Sequence, residues 1–257
     1  MIVCRSAAEL ERMREAGRLV GEVLTELAAH VEPGITTADL DAMAEKRIAQ
    51  AGASAAFKGY HGYPATICSS LNDEVIHGIP SGRRVLRDGD IISIDVGVSL
   101  GGYFGDSAVT LPVGQVSEDA ARLLRVTEEA LGKAIECVRP GRRISDVGHA
   151  VQQHVEAHGF SVVREFVGHG IGQRMHEEPQ VPNYGEPGHG PRLAEGMVLA
   201  IEPMVNAGKP AVRVLADGWT AVTRDGSLSA HFEHTVAVTA GEPWILTARN
   251  VPVGVKH

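Results

Sequence analysis

Cysteine is scarce in this chain of 257 residues, which contains only Cys4, Cys68 and Cys137. Their number is odd and they are widely separated, so they exclude a disulfide framework and a thiolate metal site of the CxxC type. Free thiols in this pattern are typical of proteins from a reducing compartment. We therefore expect a cytoplasmic protein.

Positive charge and long apolar runs are also lacking. The chain has 24 Lys and Arg against 32 Asp and Glu, a net charge of −8, whereas a nucleic-acid binder usually shows a basic footprint. No uninterrupted run reaches the ~18 apolar residues of a membrane span, and the start, MIVCRSAAELERM, lacks the pattern of a signal peptide. We therefore expect neither specific nucleic-acid binding nor membrane attachment.

An apolar hairpin that carries two carboxylates is the most informative stretch of the sequence. GDIISIDVGVSLGGYFGDSAVTL reads as two strands joined at Gly101 and Gly102, with Asp95 on the first strand and Asp106 on the second. Burial of a carboxylate costs free energy unless a cation or hydrogen-bond donors compensate for it. One such Asp is often a hydrogen-bonded structural group, but two on one hairpin favour a metal site.

Two segments of the chain, one in each half, are similar in sequence. Helical spacing of apolar residues predicts one helix over Ala7–Ala29, capped by Ser6, and a second helix that ends near Ala51. Between them lies VEPGITTADL, which aligns with VRPGRRISDV 107 positions later, matching Pro33 with Pro140. A constant offset through a turn and the following helix predicts an internal repeat.

The same offset relates the acidic residues of the two copies. Asp95 matches Glu202 at 107 positions, and Asp106 matches Glu233 at 127 positions, because the second copy carries extra residues between its two acids. Each copy therefore supplies two carboxylates. If the copies pack about a common axis, the four groups face one another across it.

This repeat leads to a prediction of the whole fold. Each copy reads as helix, helix and then several strands, which indicates an α+β architecture with two pseudo-twofold-related halves around a central antiparallel sheet. We expect one catalytic domain over 1–257, with repeats of roughly 7–114 and 118–241. Neither half is expected to fold alone.

Four carboxylates converging in a core imply bound cations. They would repel one another, and their pKa values would rise until some were neutral. Two divalent ions balance the four charges, so the sequence favours a dinuclear site. Oxygen-rich ligands with a minority of imidazole suit Mn, Fe(II), Co or Zn.

The imidazole ligand is expected in EFVGHGIGQRMHEEP. His169 follows an apolar stretch, Val162–Val167, that we interpret as a strand, and its flanking glycines permit close backbone approach. A lone histidine at a strand end is usually structural, but beside four acids we interpret this one as a ligand. His176 is better placed as a hydrogen-bond donor behind the ligands than as a ligand itself, although the spacing does not decide. His77, in NDEVIHGIP, fits a surface loop equally well.

Two neighbouring ions can hold a hydroxide at neutral pH and polarise a carbonyl group. The reaction expected of the site is therefore hydrolysis of an amide or ester, with Glu202 or a histidine carrying a proton to the leaving amine. Phosphoester hydrolysis is the alternative chemistry. The acids are not accompanied by the basic residues or Gly-rich helix start that would bind phosphate.

Several motifs together resemble the type I methionine aminopeptidases of the bacterial, short form, which have the pita-bread metallopeptidase fold. They are GYHGYPATICSSLNDEVIHGIP (59–80), IDVGV with the following GDSAVT, FVGHGIGQRMHEEPQVPNY (166–184), MVLAIEPM (197–204) and HFEHTVAVT (231–239). The resemblance covers essentially the whole chain. It implies removal of the initiator methionine from nascent chains whose second residue is small, by a metal-bridged hydroxide that attacks the scissile carbonyl.

The resemblance also assigns the metal ligands. Asp95, Asp106, His169, Glu202 and Glu233 match the five ligands of the family. Asp106 and Glu233 would bridge the two ions, Asp95 would complete one site, and His169 with Glu202 would complete the other. Glu202 also matches the usual proton shuttle.

Substrate contacts follow from the resemblance in the same way. His77 and His176 match histidines that hydrogen-bond the scissile region. Four further residues would line the methionine pocket: Tyr60, Tyr63, Cys68 and Trp219. A flexible thioether fits such soft, aromatic walls, although the aromatic residues also fit simple core packing. The chain departs from the common bacterial pattern at Phe57 and Met175, where Cys and an aromatic residue are usual.

Two other functions are open on the sequence alone. A proline-directed aminopeptidase or prolidase shares the fold, but such enzymes carry a large preceding domain, for which the segment before Met13 leaves no room. A non-catalytic pita-bread binding module is the other alternative, but such modules lose metal ligands, and here all five residues are present. The resemblance further implies action on nascent peptides near the ribosome exit, and together with the acidic charge it favours a monomer.

Overall fold

The computed structural model describes residues 1–249, so the predicted domain over 1–257 extends past the described part. The helices are α1 (Ala7–His30), α2 (Thr37–Gln50), α3 (Glu118–Glu136) and α4 (Ile144–Ala157). None of these four helices combines the length and apolar character that a bilayer crossing requires.

Fifteen short or medium strands make up the β structure of residues 1–249. They are β1 (Ser54–Ala55), β2 (Cys68–Leu71), β3 (Glu74–Ile76), β4 (Ile91–Leu100), β5 (Tyr103–Pro112), β6 (Ser161–Val162), β7 (Gly168–Gly170), β8 (Glu177–Val181), β9 (Val198–Ile201), β10 (Met204–Asn206), β11 (Val212–Val214), β12 (Ala221–Thr223), β13 (Ser229–His231), β14 (His234–Ala237) and β15 (Trp244–Ile245). A 3-10 turn spans Tyr60–Gly62.

The first helix forms where the apolar spacing predicts it and ends one residue later. Ser6 caps it by accepting a hydrogen bond from the Glu9 main-chain N–H, and the Glu9 carboxylate accepts one from the Ser6 N–H in return. Met13, Val20 and Leu24 are fully buried on one face, so tertiary packing adds to the local signal.

The second helices of the two halves begin and end at equivalent places. Helix α2 covers positions 37–50 and α4 covers 144–157, so both ends differ by 107 positions. Asp39 accepts a hydrogen bond from the main-chain N–H of Thr36, and Asp146 accepts one from that of Arg143. The same residue type therefore satisfies the same free N–H group at both helix starts.

All strand pairs among the described residues are antiparallel. Strands β1, β4 and β2 form one sheet, with β5 paired to β4, and β15, β14, β9, β7 and β8 form a second. Two smaller sheets consist of β13, β10 and β6 and of β11, β12 and β3. The predicted hairpin is present, and Gly101 and Gly102 take the positive φ angles, 59° and 82°, that its turn requires. The α+β prediction is confirmed.

The halves meet where β5 lies beside β14. The Thr235 hydroxyl accepts a hydrogen bond from the Asp106 N–H and donates one to the Asp106 carbonyl oxygen. Two residues away on each segment, the Glu233 N–H donates to the Ala108 carbonyl oxygen at 2.9 Å. The two large sheets therefore join through the main chain of two predicted metal ligands, one from each half.

The predicted strand Val162–Val167 is wrong. Pairing stops at Val162, and a new strand, β7, contains His169 in its middle. Val163 still donates to the Met204 carbonyl oxygen, but Phe166 and Val167 turn to line a cavity. Arg164 and Glu165 interrupt the apolar residues and are exposed, so this stretch is a connection along the cavity and not a continuous strand.

Candidate metal centre

The five predicted metal ligands lie together in one cavity of about 230 Å³. Asp95 is on β4, Asp106 is on β5 and His169 is on β7, while Glu202 follows β9 and Glu233 precedes β14. Three strands and two strand ends, drawn from both halves, thus supply one group of side chains. Rigid elements of this kind hold ligand atoms with more precision than loops do.

Distances within the group are those of ligands around a shared ion. His169 Nε2 lies 3.9 Å from Asp106 Oδ2 and 3.6 Å from Glu202 Oε1. One ligand atom each from Asp106, His169 and Glu233 lies within 4.8 Å of the others. Ligands at about 2 Å from a common cation are separated by such distances.

Several buried oxygens in this group are unsatisfied. Asp95 Oδ1, Asp106 Oδ1 and Glu233 Oε1 are fully shielded and have no hydrogen-bond partner within residues 1–249. Buried polar atoms without a partner are rare, because the lost hydration is then uncompensated. The donor set, oxygen-rich with one imidazole, therefore fits divalent cations.

Burial and mutual repulsion dominate the titration of these acids. Burial raises the pKa of Asp95 to about 7. Burial, followed by the neighbouring carboxylates, raises the pKa of Asp106, Glu202 and Glu233 well above the usual range. Without a cation the group holds protons, and with one it can ionise.

His169 has the orientation that a metal ligand needs. Its Nδ1–H donates to the Gly170 carbonyl oxygen at 2.9 Å, which directs Nε2 towards the acids. Burial, followed by the repulsion between protonated His169 and His176, lowers the pKa of His169 to about 3, so the ring is neutral at pH 7. The flanking glycines serve the sheet: a Cβ at Gly168 would meet the Ala200 carbonyl oxygen, and one at Gly170 would meet that of Glu178.

His231 is a buried neighbour of the acids that the sequence reasoning missed. Its Nε2 lies 4.0 Å from Glu202 Oε2 and 4.0 Å from Glu233 Oε2, and has no hydrogen-bond partner in the described structure. Burial, with smaller effects of His77 and Arg249, lowers its pKa to about 3. The available signal was its position two residues before Glu233, which places both side chains on one face of an extended segment.

Arg249 was also missed, and it lies behind the acids. Its guanidinium donates to the Ser107 hydroxyl at 2.7 Å and to the carbonyl oxygens of Glu233 and Ala108. Burial lowers its pKa to about 10, so it stays charged at neutral pH. No local pattern indicates this role, because Arg249 is far along the chain from Asp106 and follows a short strand, β15.

The predicted methionine-pocket residues line the same cavity. Tyr63 and Cys68 are buried, Trp219 is half-buried, and Tyr60 is 37% exposed at the mouth. The rings of Tyr63 and Trp219 meet edge to face at 5.1 Å. Phe166, which the prediction omitted, also lines the wall, with its ring 5.9 Å from that of His77. This combination makes an apolar recess beside the acids.

His77 and His176 lie on the cavity wall, and neither belongs to the close group of Asp106, His169 and Glu233. His77 is half-buried, with a positive φ of 61° that is unusual for a side chain of its size. His176 Nδ1 lies 2.8 Å from the Tyr60 hydroxyl, and its ring centroid is 4.2 Å from that of His169. Burial lowers the pKa of His77 to about 4 and also lowers that of His176.

The two positions that depart from the bacterial pattern also border this cavity. Phe57 and Met175 both line it, and Met175 is only 3% exposed. Phe57 packs against Gly97, where an added Cβ would lie 2.7 Å from Phe57 Cε1. A side chain at position 97 of β4 would therefore displace the Phe57 ring.

Comparison with known proteins relates this chain to the metallopeptidases. The profile of Metallopeptidase family M24 matches residues 11–240. Methionine aminopeptidase 1 of Bacillus subtilis is 58% identical over 239 residues, which cover 93% of this chain and 96% of that protein. Methionine aminopeptidase of Escherichia coli is 45% identical over 260 residues, covering 100% of this chain and 98% of that protein.

Solved structures agree on the fold. The methionine aminopeptidase of Thermotoga maritima superposes with a TM-score of 0.95 at 47% identity, over 97% of this chain and all of that chain. The prolidase of Pyrococcus horikoshii, at 22% identity, gives a TM-score of 0.78 and is covered over 65% of its length, a likeness of fold alone. The chain has the pita-bread fold and belongs to metallopeptidase family M24, among the methionine aminopeptidases.

Proposed function

We propose that this protein is a metal-dependent methionine aminopeptidase that removes the N-terminal methionine of peptides whose second residue is small. One observation carries the proposal: a group of four acids and one histidine lies beside an apolar recess in a single cavity, and three of its buried oxygens have no hydrogen-bond partner among residues 1–249. The relatives named methionine aminopeptidase support it.

We propose that Asp95, Asp106, His169, Glu202 and Glu233 hold two divalent ions. Four carboxylates balance two such ions in charge, and this donor set suits Mn, Fe(II), Co or Zn. When bound, ions of this kind supply Lewis acidity and activate water at neutral pH. Asp106 and Glu233 lie at the junction of the two halves and are the candidates to contact both ions.

Glu202 is the proposed proton carrier. Its carboxylate lies between two neutral imidazoles, 3.6 Å from His169 Nε2 and 4.0 Å from His231 Nε2. Burial raises its pKa well above the usual range in the metal-free protein, and a bound cation favours its ionised form, which can accept a proton. In this position a Glu202 oxygen can accept a proton from water and deliver it to the leaving amine.

His77 and His176 are proposed to bind the scissile peptide. Both rings are neutral at pH 7, because burial lowers their pKa values. A neutral imidazole N–H can donate to the carbonyl oxygen, and the bond strengthens as that oxygen gains charge in the transition state. Tyr60 contacts His176 Nδ1 and so orients its ring, leaving Nε2 to face the substrate.

The apolar recess is proposed to take the methionine side chain. Tyr63, Trp219 and Cys68 provide soft walls, and Tyr60 covers the mouth. Tyr63 is fixed because its hydroxyl shares its proton between the carbonyl oxygens of Ile67, just before β2, and Gly78, after β3. A fixed wall of limited size favours an unbranched thioether over a charged side chain.

The cellular setting is also a proposal. An aminopeptidase of this specificity would act on nascent chains near the ribosome exit, in the cytoplasm and as a monomer. The scarcity of cysteine and the net charge of −8 support the compartment and argue against nucleic acid as a partner. For the prolidase alternative, the shared fold is the supporting observation. A non-catalytic binding module would not be expected to keep all five acidic and imidazole groups.

Peptide cleavage with and without metal tests the proposal. Met-Ala, Met-Lys, Ala-Ala and Ala-Pro peptides are each incubated with the metal-stripped protein, alone and with Mn²⁺ or Co²⁺. We expect cleavage of the Met-Ala peptide only, and only with metal. Glu202→Ala and His169→Ala should lose metal and activity together. Preferred cleavage of Ala-Pro would instead indicate a proline-directed enzyme, and cleavage of Met-Ala by a metal-stripped Glu202→Ala protein would refute the mechanism.

A further inference from the structure

A second group of metal-ligating side chains lies on helices α3 and α4. Glu129 belongs to α3, His154 lies in the last turn of α4, and His158 is the C-terminal cap of α4. One ligand atom from each lies within 4.8 Å of the others, and none of the three lines the cavity of the metal centre. We infer that these residues form a separate binding site for a divalent transition-metal ion such as zinc or nickel.

The two histidines are placed and oriented for this role. A separation of four residues puts their side chains on the same helix face, and their ring centroids are 4.6 Å apart. His158 Nδ1–H donates to the His154 carbonyl oxygen at 2.8 Å, which fixes the ring and its tautomer. Its Nε2 then carries the free lone pair that a metal requires. In known metal sites, the ligand histidine is likewise oriented by a hydrogen bond from its other ring nitrogen.

Glu129 supplies a negative charge opposite the histidines. Its Oε2 lies 3.1 Å from His154 Nε2, and its Oε1 accepts a hydrogen bond from Arg125. Partial burial raises the pKa of Glu129, but the hydrogen bonds from Arg125 and His154 outweigh it, so the pKa lies below its usual value. A carboxylate and two imidazoles form an open three-ligand set of the kind that zinc, nickel and copper accept, with water completing the coordination.

Nearby charges act in both directions. The C-terminal end of α4 presents carbonyl oxygens, whose partial negative charge favours a cation beside His154 and His158. Two cations oppose it: Arg125 is bound to Glu129, and Arg122 donates to the His158 carbonyl oxygen. We therefore expect weaker binding than in closed four-ligand zinc sites, with exchange against the free ion.

A metal at this place would connect two packed helices. Glu129 comes from α3 and the histidines come from α4, so one ion would bridge them. An ion that binds the folded state and not the unfolded chain raises the unfolding temperature. Zinc should therefore stabilise the protein through this site as well as through the metal centre.

Zinc counting tests the inference. The wild-type protein and the His154→Ala, His158→Ala double variant are dialysed against the same zinc solution, and bound zinc is measured by atomic emission. We expect one zinc ion per chain fewer in the double variant, with unchanged peptidase activity as the check of folding. His149→Ala, a histidine on the same helix outside the group, is the matched control and should keep the wild-type count. Equal zinc in wild type and double variant would overturn the site.

Two further measurements test the three-residue assignment. Glu129→Gln keeps the shape of the side chain and removes its charge, so zinc affinity at this site should fall about 10-fold. An unchanged affinity would exclude Glu129 as a ligand. Wild-type crystals grown with zinc should give an anomalous scattering peak between His154 Nε2 and His158 Nε2. No peak there, with zinc present in the main cavity, would mean that the histidines and Glu129 form only a local hydrogen-bonded contact.

Discussion

Arg249 donates a hydrogen bond to the main-chain oxygen of Glu233 at a distance of 3.2 Å. The same guanidinium reaches the Ser107 hydroxyl and the Ala108 carbonyl oxygen, both on β5 directly after Asp106. One cation near the end of the described chain therefore holds together the two segments that carry the predicted bridging ligands. It also places a positive charge behind a group of four acids.

Arg249→Ala should weaken metal binding. The variant loses three hydrogen bonds between the guanidinium and the β5 and Glu233 segments, and with them the positive charge behind the acids. We expect the Kd for Mn²⁺, measured by titration calorimetry, to rise about 10-fold or more. Arg249→Lys keeps the charge and should recover part of the affinity.

Arg224→Ala provides the control for Arg249. Arg224 also donates to a carbonyl oxygen, that of Val212, but on a strand away from the acids. Its removal should leave the Kd for Mn²⁺ unchanged. If both variants lose affinity equally, Arg249 acts through general stability and not through the metal centre.

Asp106→Asn should have opposite effects on the metal-free and the metal-loaded protein. Without metal, burial, followed by the neighbouring carboxylates of Glu233 and Asp95, raises the pKa of the Asp106 carboxyl well above its usual range. An amide at this position avoids the cost of burying an ionisable group among acids, so the Tm of the metal-free protein should rise by about 2–4 °C for each kcal/mol gained. Metal binding should be lost, and with it the increase in Tm that Mn²⁺ gives the wild type.

Scanning calorimetry of the wild type and the Asp106→Asn variant, each with and without Mn²⁺, measures the Tm of the metal-free protein and its increase on metal binding. Asp119→Asn is a suitable control, because Asp119 is an exposed residue in the first turn of α3. It should retain the response to Mn²⁺. A metal-free Asp106→Asn protein less stable than wild type would show that the acids are not in mutual repulsion.

His77→Ala and His176→Ala should slow turnover while metal is retained. Both rings line the cavity but lie outside the close group of Asp106, His169 and Glu233. Loss of one donor to a developing oxyanion lowers kcat by roughly 100-fold or more. Steady-state kinetics on a Met-Ala peptide, with metal content measured on the same samples, separates the two effects. Metal loss in either variant would place that histidine among the ligands.

Much of the local structure could be predicted because its signals are short-range. The start of α1 follows from Ser6 and Glu9, and the β4–β5 turn follows from Gly101 and Gly102. The fixed offset between Asp95 and Glu202 indicated that acids from distant segments belong to one site. The cavity brings them together, although their role as ligands stays a prediction.

Other features depend on packing between distant segments, which a single sequence does not encode locally. The stretch after Val162 contains apolar residues, but Arg164 and Glu165 interrupt them. Phe166 turns to the cavity because the chain passes there from one sheet to another. Likewise, nothing near Arg249 indicates that its side chain reaches Ser107. The glycines beside His169 were predicted to allow close approach to the imidazole ring. In the structure they are needed because the main chains of the neighbouring strands lie close to them.

His231→Ala should lower metal affinity without preventing turnover at saturating metal. His231 Nε2 lies 4.0 Å from an oxygen of Glu202 and from an oxygen of Glu233, and the ring is neutral because burial lowers its pKa. With its proton on Nε2, the ring presents a positive N–H edge to both carboxylates and favours their ionised, metal-binding form. We expect the Kd for Mn²⁺ to rise about 10-fold.

His231→Gln distinguishes this electrostatic effect from a simple loss of packing. The amide N–H₂ of glutamine can donate to the same two carboxylates. In His231→Ala, a void replaces the ring and no donor is present. Glutamine should therefore recover most of the affinity for Mn²⁺, with kcat at saturating metal close to that of wild type in both variants. Equal loss of affinity in the two variants would assign the effect to packing. A large fall in kcat at saturating metal would instead mean that His231 takes part in the reaction, next to Glu202.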